Sequence, residues 1–237
     1  MKILILQNRM GIGDMIMFLP FIEAISKKFK TPVTILAKKN TKVEMYFNNK
    51  EIVEEIMYLE REDNKKHSGV KGFFKLVNEL KLKKFDKVFI FNSSLRYFLI
   101  SKFSGIKEVF HYPLFKKKNQ QIIEAAKEFT LKSIGEDIES TPRLFLKEQD
   151  ILKAKKDHSI DQSITNIILG IGGSGKTKRV PASIFKSFMS KVLKRSNCRF
   201  FLMTGNNIDE LKIMDEIIES EYKGYCTPLN NFTIKEI

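Results

Sequence analysis

Residues 167–181 read Ile-Ile-Leu-Gly-Ile-Gly-Gly-Ser-Gly-Lys-Thr-Lys-Arg-Val-Pro, an apolar run that leads into a glycine-rich loop and then a proline. The apolar part is typical of a buried strand, and the glycines allow tight turns or close approach to a ligand. Proline lacks a backbone N–H, so it belongs in the first turn of a helix and not inside one. The stretch therefore predicts a strand, a loop and a helix that begins near Pro181, which is the repeating unit of an α/β sheet.

The same loop matches a phosphate-binding pattern. Residues 170–177 satisfy the Gly-x-x-x-x-Gly-Lys-[Ser/Thr] motif of nucleoside triphosphatases. In that motif the helix starts at the Gly-Lys pair, whereas here Pro181 falls five residues after Lys176. We therefore place residues 176–179 in the loop, where the helix N-terminus still favours an anion. A P-loop kinase or NTPase using Lys176 and Thr177 remains the alternative, although no later strand ends in an acidic residue for magnesium.

Strands and helices alternate along the rest of the chain. Strands are predicted at residues 2–7, 31–37, 53–58, 86–92, 166–171 and 199–204, and helices at 15–29, 41–48, 73–82, 95–103, 120–134, 181–195 and 208–219. Pro20 is expected either to kink the helix at 15–29 or to delay its regular part. This α/β pattern predicts parallel sheets with helices on both faces, which bind ligands in loops beyond the carboxyl ends of the strands.

A polar, lysine-rich segment at residues 140–163 predicts a boundary between two domains, 1–150 and 163–237. The second domain has too few predicted elements to complete a doubly wound sheet. We therefore expect it to be incomplete and the chain to be a fragment.

The composition restricts the partners. The net charge of +14 arises from 42 basic and 28 acidic residues, which favours anionic partners. The lysines are spread along the chain, and the cluster at residues 116–118 is interpreted as a solvated loop, so no nucleic-acid partner is expected. Cys198 and Cys226 are not spaced as a metal pair, and we interpret them as reduced thiols of a cytosolic protein. No apolar run has the length of a membrane span.

The loop after the first strand carries Gly11-Ile12-Gly13-Asp14. The glycines permit a tight turn from strand to helix, and Asp14 is expected at or near the helix N-cap. Its carboxylate is either a plain cap or a general base at the ligand end of the sheet. Ile16 takes the place of the third glycine of a dinucleotide fingerprint, which argues against a nicotinamide dehydrogenase.

These motifs together resemble the glycosyltransferases of family nine, the heptosyltransferases of bacterial lipopolysaccharide core assembly. The first strand with Arg9 and residues 11–15 is similar to the start of that family, and residues 92–96 to its Ser-Leu-Arg segment. Residues 172–174 and 177–181 resemble its Gly-Ala-Ser and Thr-Lys-Arg-Trp-Pro, and residues 200–210 its next strand with a glycine and an acidic pair. Val180 replaces the tryptophan. The family's distal Asn-Asp-Ser-Gly-Pro-x-His motif is absent, which supports the fragment hypothesis.

The resemblance implies a GT-B architecture, with two Rossmann-like domains that face a cleft, and a reaction that needs no metal or other cofactor. The co-substrate would be a nucleotide diphosphate sugar such as ADP-heptose, and the acceptor an anionic lipid-linked saccharide. The protein would act in the cytoplasm, and peripheral association with the inner membrane stays open. The assigned residues are Asp14 as catalytic base, Gly173, Ser174, Thr177, Lys178, Asp209 and Glu210 for the nucleotide sugar, and Arg9, Gly11, Gly13 and Arg96 for the acceptor.

Plainer roles stay open for several of these residues. Arg9 and Arg96 could be solvated surface side chains, and Asp209 and Glu210 could serve only the start of a helix. A non-catalytic binding fragment is the third hypothesis for the chain as a whole.

Overall fold

The computed structural model describes residues 1–9, 11–47, 49–114, 120–144, 146–173 and 178–230. The chain divides into two compact units, Met1–Phe145 (unit 1) and Leu146–Ile237 (unit 2). Each unit is built on a parallel sheet.

The sheet of unit 1 has the strand order β3-β2-β1-β4-β5, and all of its neighbouring strands are parallel. Its strands are β1 (Ile3–Gln7), β2 (Val33–Ala37), β3 (Val53–Tyr58), β4 (Lys87–Ile90) and β5 (Glu108–His111). Every residue of β1 and β2 is buried. Their apolar, β-branched sequences suit this position, because a parallel strand covered on both faces has no solvated side.

The helices of unit 1 cover both faces of this sheet, as predicted. They are α1 (Ile12–Ile16), α2 (Leu19–Phe29), α3 (Val43–Tyr46), α4 (Gly69–Lys83), α5 (Leu95–Phe103) and α6 (Ile122–Ile134). Ile3 and Ile5 pack in one core with α2 and α6, whereas Leu4 and Leu6 pack in another with α4 and α5. The alternation follows from the two-residue period of a strand.

Unit 1 differs from the prediction at several elements, and α4 begins at Gly69 instead of residue 73. The helix predicted at 15–29 is divided, and Pro20 is the second residue of α2, so the proline delays the regular helix and does not kink it. The helix predicted at 41–48 is a 3₁₀ turn, Lys39–Thr41, followed by α3. The strand β5 was not predicted, because it has only four residues and lies half-buried at the sheet edge.

Unit 2 contains a sheet with the order β6-β7-β8, again parallel. Its elements are α7 (Glu148–Asp157), β6 (Thr165–Gly170), α8 (Ala182–Leu193), β7 (Cys198–Thr204), α9 (Ile208–Ile218) and β8 (Cys226–Asn230). The core joins one face of this sheet to α8 and α9, through side chains such as Phe200, Leu202, Met189 and Ile217. Both helices share this face because successive right-handed crossovers advance in one direction along the sheet.

The helix start predicted near Pro181 is confirmed, since Pro181 is the N-cap of α8 and Ala182 its first residue. Two elements of unit 2 were missed. The helix α7 lies in the segment interpreted as a polar boundary and buries none of its residues. The strand β8 contains Pro228, which is tolerated because β8 lies at the edge of the described sheet.

Candidate functional site

The loop after β1 presents Asp14 at the carboxyl end of the unit 1 sheet. Gln7 is fully buried, and its Oε1 accepts a hydrogen bond from the N–H of Arg9 at 2.7 Å. Gly11 has φ of 102°, a value that glycine adopts without strain, and it is the N-cap of α1. Asp14 is the third residue of α1, after the exposed Gly13, and no side chain caps this helix. Asp14 thus lies near the N-cap, as expected, but not at it, because Gly11 is the N-cap.

Arg96, the second residue of α5, holds the loop that follows β3. Its guanidinium donates hydrogen bonds to the carbonyl oxygens of His67 at 3.0 Å and Gly69 at 2.9 Å. Burial, and after it the charge of Arg61, lowers the pKa of Arg96. Neither arginine forms an ion pair with a carboxylate among the described residues. Two neighbouring guanidinium groups without an acidic partner are suited to a carboxylate or phosphate.

The histidine whose carbonyl oxygen binds Arg96 is itself buried. His67 Nδ1 accepts a hydrogen bond from the N–H of Glu60 at 3.1 Å, and His67 Nε2 lies 3.2 Å from Glu79 Oε2. These contacts assign the ring proton to Nε2. Lys66 also binds Glu79 at 2.9 Å. Burial alone would raise the pKa of Glu79, but the hydrogen bonds from Lys66 and His67 outweigh it and lower the pKa.

A cavity of about 800 Å³ lies between the end of β5 and α6. Its wall combines aromatic side chains, among them Phe18, Tyr112 and Phe129, with polar groups that include Arg9 and Ser93. All of these residues belong to unit 1. An apolar wall with a few polar groups is the usual composition of a small-molecule site.

Unpartnered polar atoms concentrate at this edge of the sheet. The Tyr112 hydroxyl, the Gln7 Nε2 and the Asn92 Nδ2 are buried and have no hydrogen-bond partner among the residues that the structure describes. The three residues lie at or just beyond the ends of β5, β1 and β4, which are neighbours in the sheet. Burial raises the pKa of Tyr112, and the charge of Arg9 opposes this effect. Because buried polar groups are normally paired, these three unpaired atoms carry a cost in stability at this edge of the sheet.

In unit 2 the carboxylate of Glu210 joins two loops. Its Oε1 accepts a hydrogen bond from the N–H of Gly173 at 3.1 Å, and its Oε2 accepts one from the N–H of Gly205 at 3.2 Å. Gly173 follows β6, and Gly205 follows β7. A Cβ added at Gly173 would come within 3.1 Å of the carbonyl oxygen of Lys178, so the loop also closes tightly on itself.

Arg179 completes this arrangement. Its Nη1 binds Asp209 Oδ2 at 2.6 Å, and its Nε lies 3.8 Å from Glu210 Oε1. The second contact is an ion pair but too long for a hydrogen bond. Asn207 caps α9 by accepting a hydrogen bond from the N–H of Asp209 at 2.9 Å. The acidic pair of the sequence motif thus holds Arg179, a residue to which the sequence assigned no role.

The remaining predicted residues are placed as follows. Lys178 is exposed and precedes Pro181, the N-cap of α8. Ser174 and Thr177 lie outside the described residues, as do Lys176 and the lysines at 116–118. Within the described ranges, no group of three or more histidine, cysteine, aspartate or glutamate side chains could hold a metal ion. In the same part of the chain no helix is long and apolar enough to cross a membrane.

Solved structures share this fold at low sequence identity. A glycosyl transferase of family 9 from Veillonella parvula matches with a TM-score of 0.69 and 16% identity, covering 99% of this chain and 71% of its own. The ADP-heptose LPS heptosyltransferase II of E. coli matches with a TM-score of 0.65 and 16% identity. The match covers 100% of this chain and 75% of the heptosyltransferase. A UDP-GlcNAc 2-epimerase from Neisseria meningitidis, solved with UDP-GlcNAc, matches with a TM-score of 0.54 and 13% identity. The match covers 100% of this chain and 74% of the epimerase.

Neither a protein-family model nor a curated protein sequence matches this chain significantly. The structural matches therefore define the fold. The chain has the α/β fold of GT-B glycosyltransferases, with two parallel sheets, and it spans about three quarters of the length of the heptosyltransferase that it matches.

Proposed function

We propose that this chain binds a nucleotide diphosphate sugar through unit 2 and an anionic saccharide acceptor through unit 1, as an inverting, metal-independent glycosyltransferase. The observation that carries the proposal is the glycine loop after β6 in a GT-B fold. This loop precedes the helix α8, and Glu210 binds it through the N–H of Gly173. The donor we favour is ADP-heptose and the acceptor a saccharide of the lipopolysaccharide-core type, because a similar structure is an ADP-heptose heptosyltransferase. We place the reaction in the cytoplasm, at the membrane face.

The donor's diphosphate is proposed to lie at the start of α8. Backbone N–H groups at a helix N-terminus favour an anion, and Lys178 adds a positive charge in the same loop. Ser174 and Thr177 are proposed as further ligands. These groups would stabilise the charge that develops on the diphosphate as its bond to the sugar breaks.

Asp209 is the proposed ligand of the nucleotide ribose, because its carboxylate is half-exposed beside the loop. Glu210 is buried, and each of its oxygens already accepts a backbone hydrogen bond. We therefore propose that Glu210 acts on nucleotide binding by positioning Gly173.

The acceptor is proposed to bind at the carboxyl edge of the unit 1 sheet. Asp14 would accept the proton of the acceptor hydroxyl while that oxygen bonds to the anomeric carbon and the diphosphate leaves with the electron pair. Attack opposite the leaving group inverts the anomeric configuration. Arg9 and Arg96 are proposed to bind acidic groups of the acceptor, assisted by Arg61, and Gly11 and Gly13 leave the loop open to it.

Nucleotide titration separates this proposal from the P-loop hypothesis. We expect Lys178→Ala to weaken binding of ADP or an ADP-sugar by about 10- to 100-fold, the effect of one charge-assisted contact, and Lys176→Ala to have a smaller effect. The P-loop hypothesis requires the reverse, with Lys176→Ala abolishing magnesium-dependent ATP binding and Lys178→Ala leaving it intact. The start of α8 at Ala182 favours the first outcome. A protein that binds donor but releases no ADP with acceptor present would support the non-catalytic hypothesis.

A further inference from the structure

The helices α4 and α5 expose an aromatic cluster. The Phe73 ring lies 5.2 Å from the Phe74 ring and 6.0 Å from the Phe103 ring, so the cluster spans both helices. Phe74 is 57% exposed and Phe103 is 62% exposed. Val70, one turn before Phe74, is 73% exposed. Single exposed apolar side chains are common, but contiguous exposed rings mark a surface that binds something.

Basic side chains outnumber acidic ones on the two helices of this cluster. The two helices carry six basic side chains and one acidic side chain, whereas the ratio in the whole chain is 42 to 28. Lys71 and Lys75 are exposed beside Phe74, and Lys102 is exposed beside Phe103. The single acidic residue, Glu79, is occupied by Lys66 and His67. Exposed aromatic rings between lysines match an anionic lipid surface, which accepts both the rings and the charges.

The cluster also adjoins the proposed acceptor site. The guanidinium of Arg96 lies 5.4 Å from the centre of the Phe73 ring and holds the loop after β3 at the carboxyl edge of the sheet. A surface docked here on a bilayer would keep Arg96 and Arg61 close to the lipid headgroups.

We propose that the face formed by Val70, Lys71, Phe74, Lys75, Lys102 and Phe103 docks on an anionic lipid bilayer. The rings enter the boundary between headgroups and acyl chains, and the lysines contact the anionic headgroups. This docking is independent of the proposed reaction, because it is measured without donor or acceptor.

Co-sedimentation with vesicles tests the proposal. We expect the protein to bind phosphatidylglycerol-rich vesicles, to bind pure phosphatidylcholine vesicles far more weakly, and to be released by high salt. Phe74→Ser and Phe103→Ser should each weaken binding about tenfold, and Lys71→Gln and Lys75→Gln about fivefold each. Val70→Ser, which disturbs no ring contact, should also weaken binding.

The matched controls lie on α9, where Ile208 is 68% exposed but is followed by Asp209 and Glu210. Ile208→Ser and Lys212→Gln should bind vesicles like the wild type. Equal binding to both kinds of vesicle, or unchanged binding by folded Phe74→Ser and Phe103→Ser proteins, overturns the proposal. So does a wild-type dimer that these variants dissociate and that binds no vesicles, because the face would then join two copies of the chain.

Discussion

Glu210 accepts a hydrogen bond from the backbone N–H of Gly173 at 3.1 Å, although 37 residues separate the two in the sequence. The contact ties the loop after β6 to the first turn of α9, and the second oxygen of Glu210 does the same for the loop after β7. A loop held from a neighbouring helix keeps its N–H groups oriented before a ligand arrives. Such preorganisation lowers the entropic cost of binding.

Replacing the carboxylate should therefore destabilise unit 2. Glu210→Gln loses the negative charge opposite Arg179 and replaces one of the two side-chain oxygens that accept a backbone N–H with an NH₂ donor. We expect a loss of about 2–3 kcal/mol in the free energy of unfolding, measured in urea. Glu216→Gln is the control, because Glu216 forms an exposed ion pair with Lys186. Its effect should stay below about 1 kcal/mol. Equal losses in the free energy of unfolding for the two variants would mean that Glu210 stabilises unit 2 no more than an exposed ion pair does.

Removing the Tyr112 hydroxyl should not lower the free energy of unfolding, in contrast to replacing Glu210. Tyr112→Phe removes a buried polar atom that has no partner in the described part of the chain, so the free energy of unfolding should be unchanged or higher by about 1–2 kcal/mol. The comparison is Tyr58→Phe, since the Tyr58 hydroxyl donates to Glu44 at 2.7 Å. Burial, and after it this hydrogen bond, raises the pKa of Tyr58 to about 12. Tyr58→Phe should cost about 0.5–1 kcal/mol. A destabilised Tyr112→Phe protein would contradict the assignment.

Glu79 should contribute a pH-dependent part of the stability. Its pKa is lowered from 4.5 in the folded protein, so its contribution is complete above that value and is lost as the pH falls through the lower, folded pKa. The free energy of unfolding of the wild type should exceed that of Glu79→Gln near neutral pH, and the difference should shrink below about pH 4.5. Urea titrations of both proteins between about pH 7 and pH 3 measure it. A difference that stays constant to the acid end would show that the carboxylate charge is not involved.

The elements that the sequence predicts best are those with strong local patterns. β3 and α5 occupy the predicted residues, because polar, turn-forming residues flank both segments. β5, β8 and α7 were missed for different reasons. β5 is short and half-buried, β8 contains a proline, and α7 buries no side chain that could produce a helical hydrophobic period.

The contacts within the candidate site are predicted less well from the sequence than the helices and strands are. Asp14 and Arg96 follow β1 and β4, a position that the strand pattern predicts, and their roles in binding or catalysis stay predictions. The acceptors of Arg96 lie 29 and 27 residues away, which no local pattern contains. Arg61 was overlooked because an arginine in a polar loop resembles any other surface charge. Arg61 comes close to Arg96 because the loop after β3 leads into α4, and α4 packs against α5, the helix that carries Arg96.

Asp14→Asn tests the proposed chemistry directly. Asparagine keeps the size of the side chain but cannot accept the proton of the acceptor hydroxyl, so kcat for sugar transfer should fall by about 10²- to 10⁴-fold. Because the N-cap of α1 is Gly11 and not Asp14, the exchange removes no N-cap side chain, and the free energy of unfolding should change by less than about 1 kcal/mol. Donor affinity, measured by titration with ADP-sugar, should be unchanged, since the donor is proposed to bind unit 2. Asp63→Asn, in an exposed loop of the same unit, serves as the control and should retain turnover. Near-normal ADP release by a folded Asp14→Asn protein would remove Asp14 from the reaction and leave it as an ordinary residue of the first turn of α1.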